Sequence, residues 1–141
     1  MKPLFYILLL FACFPIVAKA RQSNCFYHHN GRYKIIDSAH NSMILIERKD
    51  SAETQYLFKN GDTSQYDMKL VFKVEWLNDC TYKQYLVYNI IHTRKGDKSL
   101  PTEGRILVNK IMDADNNSYL VYTTFSNKKN LKYANRLWKL K

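Results

Sequence analysis

The chain has 141 residues, with 22 Lys or Arg against 12 Asp or Glu, a net charge of +10. That length holds one domain and excludes a large multi-domain enzyme. The charge is uneven: residues 21–80 carry eight basic and eight acidic residues, whereas 81–141 carry twelve and four, net +8.

Residues 1–20, MKPLFYILLLFACFPIVAKA, have the pattern of a signal peptide. Lys2 supplies the positive start, residues 4–17 the apolar stretch, and Ala18-Lys19-Ala20 a small-x-small cleavage site. The stretch is too short to span a hydrocarbon core of ~30 Å comfortably. The expected product is a secreted or periplasmic domain over 21–141, with no transmembrane segment after cleavage. The alternative is a lipid anchor through Cys13, because Leu10-Phe11-Ala12-Cys13 faintly resembles a lipoprotein site. Bulky Phe11 and the apolar run continuing to Val17 favour cleavage after Ala20.

Two cysteines then remain, Cys25 and Cys80. An even count in an exported chain predicts a disulfide between them. Closing a loop of that size stabilises a fold by about 4 kcal/mol in the chain-entropy picture.

Period-two alternation with β-branched and aromatic residues dominates the rest. Strands are predicted at 31–37 (Tyr33 and Ile35 on one face), at 42–48 (Ile44 and Ile46 on one face), and at 53–58. The clearest run is 68–76, with Met68, Leu70, Phe72, Val74 and Trp76 facing a core and Lys73 and Glu75 facing water. Further strands are predicted at 81–91, 105–112, 119–125 and 133–140. Tyr82, Leu86 and Tyr88 are expected on the face of Cys80, and Trp138 and Leu140 in the core. Residues 92–104 read as an exposed loop, and 126–134 as room for one helical turn. The expected fold is all-β: a single-domain antiparallel meander of about eight strands, a small barrel or sandwich, with one disulfide.

Four features occur in order: Cys25 with Asn30-Gly31-Arg32-Tyr33; 44–48 followed by Glu53 and Gln55; Trp76-Leu77-Asn78-Asp79-Cys80-Thr81-Tyr82; and a basic last strand ending Leu137-Trp138-Lys139-Leu140. This Cys…Gly-x-aromatic…Trp-x-x-x-Cys-x-Tyr pattern resembles short exported β-proteins of Bacteroidetes-type bacteria, which have no established activity. Some of these carry the label DNA topoisomerase IV, which a small exported domain does not support. The Gly31-x-Tyr33 strand opening a meander also resembles the lipocalin-like architecture, although the chain is shorter and lacks a C-terminal helix.

Candidate chemistry is sparse. His28 and His29 would point to opposite faces of a strand, and the histidine spacing matches no metal-ligand set. A Cys–His nucleophile needs a free thiol, which a Cys25–Cys80 bridge removes. No G-x-S-x-G elbow is present. The reading is therefore a non-enzymatic binding protein without metal or cofactor. Its basic C-terminal half, with Lys128, Lys129, Lys132, Lys139 and Lys141 as the exposed set, is expected to contact an anionic glycolipid, a polysaccharide or an acidic protein. Nucleic acid is not an expected partner for an exported chain. The other readings are a lipocalin-like carrier of a small apolar ligand and an accessory or structural subunit.

Overall fold

A computed structural model describes residues 24–93, 95–102, 104–126 and 128–141, with only the backbone described for 128–131. The expected leader at 1–20 and the anchor reading of Cys13 lie outside the described residues.

The strands are β1 (Gly31–Asp37), β2 (Ser42–Lys49), β3 (Ala52–Phe58), β4 (Met68–Asn78), β5 (Thr81–Thr93), β6 (Gly96–Ser99), β7 (Ile106–Ala114), β8 (Ser118–Phe125) and β9 (Lys128–Lys139). Pairing runs β4-β3-β2-β1-β9-β8-β7-β5, and β4 also pairs with β5, so eight strands close into an antiparallel barrel. β6 is an extra strand folded onto the far half of β5. The expected all-β meander is thus a barrel rather than a sandwich. The ladder that closes it, β1 to β9, has only two residue pairs, Tyr33 with Lys139 and Lys34 with Trp138.

One end of the barrel is plugged. A short 3-10 turn, Cys25–His28, and the two residues after it, His29 and Asn30, are tied to the three hairpin turns there. His28 Nε2 lies 2.7 Å from the Asp115 carbonyl oxygen. His29 Nε2 lies 3.0 Å from that of Asp79, and the Asp50 amide donates to Asn30 Oδ1 at 2.5 Å. The expected Cys25–Cys80 disulfide adds a covalent tie to the β4–β5 turn. Gly31, at φ +145°, opens β1 where a Cβ would sit 2.9 Å from the Tyr33 hydroxyl. Its lack of a side chain lets that hydroxyl reach back and donate to the Asn30 carbonyl at 2.9 Å.

The inward faces follow strand parity. Tyr33, Ile46, Val74, Tyr82, Ile111, Tyr119, Val121 and Leu137 form the core at the plugged end. On β4, Phe72 and Val74 are buried and Lys73 and Glu75 exposed, as expected, while Trp76 is half-buried.

Several expectations need correction. Residues 126–134 contain no helical turn among those described; β9 begins at Lys128. The expected loop 92–104 is partly strand, because β5 runs to Thr93 and β6 pairs back on it. Tyr88 does not share the face of Tyr82. Pairing jumps from Val71–Tyr88 to Phe72–Leu86, and the bulge at Val87 turns Tyr88 outward and Asn89 inward. Trp138 does not close the core. It is 46% exposed, and Leu137 is buried in its place. Apolar residues occupy both faces of this strand, so hydrophobicity leaves its parity open. Pairing of Leu137 with Tyr119 and of Lys139 with Tyr33 fixes it.

Candidate functional site

The barrel interior is polar at its plugged half. Arg48 ends the inward row Ile44, Ile46, Arg48 on β2, and Glu53 lies directly opposite on β3. Arg48 Nε donates to Glu53 Oε2 at 2.6 Å, and both side chains are sealed from solvent. The other guanidinium nitrogens donate to the His28 carbonyl at 2.9 Å and the Tyr82 hydroxyl at 2.7 Å. Aromatic rings surround this cation, with the Tyr82 centroid at 4.5 Å and those of Trp76, Tyr33 and Tyr119 between 5.6 and 5.9 Å.

From Glu53 the network crosses the barrel. Gln55 and Gln84 each donate to Glu53 Oε1 at 2.6 Å. Asn109 Nδ2 donates to Gln84 Oε1 at 2.8 Å, and Thr123 donates to Asn109 Oδ1 at 2.6 Å. A chamber of about 170 Å³ lies against these groups, bounded on its apolar side by Ile35, Val121 and Leu137. Burial pushes the Tyr82 hydroxyl up to about 12, against the pull of the Arg48 guanidinium. Burial raises Tyr33 and Tyr119 as well, so all three phenols stay neutral across the physiological range.

Gln55 and Leu107 also border a second, larger recess toward the opposite end. Its volume is about 510 Å³, and its walls are Met68, Leu70 and Phe72 of β4, Leu86 of β5, Leu107 of β7 and Phe125 of β8. Leu100, Pro101 and Arg105, from the connection between β6 and β7, sit over it. One polar side chain on its wall, Asn89, is buried.

The three lysines of the sequence-predicted basic set whose side chains are described stand apart from one another. Lys132 is exposed on the outer surface near the start of β9, and Lys141 is exposed after its end. Lys139 turns to the plugged end, half-buried, and its Nζ donates to the Tyr27 carbonyl at 3.0 Å. At about 3.3 Å per strand residue, Lys132 and Lys139 stand roughly 20 Å apart, well beyond the ~8–10 Å over which salt screens charge. The side chains of Lys128 and Lys129 lie outside the described residues. Lys110 of β7, which the sequence reading did not single out, does join Lys132 beside an outer groove of about 370 Å³.

The two adjacent histidines diverge. His28 is fully buried in the plug, whereas His29 stacks on Trp76 with centroids 3.5 Å apart. Among the described residues no three His, Cys, Asp or Glu side chains group as metal ligands, and no helix is long and apolar enough to cross a membrane.

Arg48, Glu53, Gln84 and Asn109 were missed because polar residues in alternating strands read as solvent-facing. Parity was the available signal for three of them: Arg48 shares its face with Ile46, Gln84 with Tyr82 and Asn109 with Ile111, whereas Glu53 has no buried apolar neighbour on its own strand. The chain matches no family model, no curated protein and no solved structure.

Proposed function

We propose that the protein is a non-enzymatic carrier that holds a small, largely apolar molecule inside the barrel. The observation that carries this reading is the recess of about 510 Å³ between β4, β5, β7 and β8. Protein interiors are normally packed to crystal density, so an apolar space of this size argues for an occupant. Ligand pockets typically measure ~300–1,000 Å³ and combine apolar walls with few polar groups. The plugged end suits the same role. Its ion pair, disulfide and aromatic cage make a rigid floor, while the longer connections gather at the other end. A disulfide also suits an oxidising compartment, in keeping with an exported chain.

Titration with the fluorescent apolar probe 1-aminoanthracene tests the carrier reading. Saturable one-to-one binding is expected, weakened about tenfold or more by Leu86→Trp, whose ring would fill the recess. An absence of binding, or unchanged binding by folded Leu86→Trp, would refute it.

A second reading keeps the excess charge of residues 81–141 in view. Lys110 and Lys132 flank the outer groove with Met112 and Tyr122 on its floor, a basic and partly apolar strip. It would suit an anionic glycolipid, an acidic polysaccharide or an acidic protein surface. Binding to heparin at low salt, lost in Lys110→Glu/Lys132→Glu, would favour it; indifference to that double reversal would remove it.

A further inference from the structure

Asn89 is the exception in an interior whose other amides are engaged. Gln55, Gln84 and Asn109 all donate within the network that starts at Glu53. Asn89 is 9% exposed, lies on the wall of the larger recess, and its Oδ1 is buried with no hydrogen-bond partner among the described residues. Its position is not accidental looseness. The bulge at Val87 turns it inward, and its own carbonyl accepts from the Leu100 amide at 2.8 Å, which pins the backbone. Leu70 is its ladder partner, and Leu86 and Leu100 share the wall; of the donors that also line the recess, Gln55 gives its N–H to Glu53 and the exposed Arg105 makes no hydrogen bond to Asn89 Oδ1. A buried amide oxygen left without a partner destabilises the empty fold. The residue makes physical sense when a group inside the recess completes it.

We infer that the molecule carried is an uncharged amphiphile, whose apolar body lies against Leu70, Phe72, Leu86 and Leu107 and whose hydroxyl or amide N–H donates to Asn89 Oδ1. This inference rests on the carrier reading and narrows it. An ionised carboxylate has no proton to give this oxygen. The nearest alternative anchor is Arg105, an exposed cation on the same recess, and it would select the anion instead.

Three probes of matched size separate these cases by displacement of 1-aminoanthracene at pH 8: 1-decanol, its isomer 1-methoxynonane, which cannot donate, and decanoate. In the wild-type chain, decanol should bind about tenfold more tightly than methoxynonane, the usual scale of one buried hydrogen bond. Asn89→Leu should erase that difference, and should raise the melting temperature of the ligand-free protein. Equal binding of the two isomers by the wild-type chain overturns the inference and leaves the carrier reading standing. So does tightest binding of decanoate that is lost in Arg105→Gln. If neither 1-aminoanthracene nor any of the three binds, the carrier reading itself falls. The wild-type comparison needs no variant, so the test survives if Asn89→Leu fails to fold.

Discussion

Arg48 and Glu53 face each other directly across the β2–β3 hairpin, 2.6 Å apart and both out of reach of solvent. Only two residues, Asp50 and Ser51, separate the strand ends Lys49 and Ala52, and Asp50 adopts φ 53° to make the turn. The hairpin therefore holds the two charges directly opposite each other. Removing one charge alone leaves the other buried and uncompensated. Glu53→Ala should destabilise the protein by about 3–5 kcal/mol in urea unfolding, whereas the joint change Arg48→Met/Glu53→Leu should recover most of that loss. A Glu53→Ala protein as stable as the wild type would show that the pair is not sealed.

The plug predicts a pH dependence. His28 Nε2 carries the ring proton to the Asp115 carbonyl, and Nδ1 is buried without a partner among the described residues. Burial lowers its pKa below the ordinary value, and the charges of Lys139 and Arg48 lower it further. The unfolded chain, with a His pKa of about 6.5, then binds more protons than the folded one. The resulting stability is present above pH ~6.5 and is lost as pH falls through the lowered folded value. Melting temperatures at pH 7.5 and 5.0 should fall further for the wild type than for His28→Gln. Parallel declines would separate His28 from the effect.

The register of β9 has a direct test. Leu137 is 2% exposed and Trp138 46%. Leu137→Ala should cost about 2–5 kcal/mol, as core truncations do. Trp138→Ala, although it removes the larger side chain, should cost less. The opposite order would restore the alternative parity, with Trp138 inside.

The disulfide joins Cys25 of the plug to Cys80, 55 positions on, with Cα atoms 5.1 Å apart. Cys80→Ala should lower stability by about 2–5 kcal/mol, the usual range for small secreted domains. Non-reducing peptide mapping of the wild type should recover the linked pair. Rapid alkylation of both thiols in the native, non-reduced protein would contradict this.

Strand positions were legible because turns and alternation are local. The β1 bounds, 31–37, were read off directly, and β4 displays its faces plainly since Phe72 and Val74 alternate with Lys73 and Glu75. What was not legible depends on partners. Nothing around Val87 announces a bulge, which arises from fitting β5 against β4 and turns Tyr88 outward. The buried polar row at Arg48, Glu53, Gln84 and Asn109 is invisible to a rule that sorts polar residues outward. It becomes favourable only when four strands bring complementary donors and acceptors within reach. The recess is harder still to foresee, for a sequence specifies which side chains face inward but not how much space they leave.

The seam between β1 and β9 joins the first strand of the domain to the last. The barrel cannot become continuous until the C-terminal strand has been synthesised and delivered. Contacts this distant in sequence also make for slow folding. Cys25 and Cys80 both precede β7, β8 and β9, so the bond between them can form on a half-built molecule. During that interval β1 has a bare outer edge, the kind of surface on which another chain can pair. A protein assembled this way would gain from closing its barrel before meeting many copies of itself.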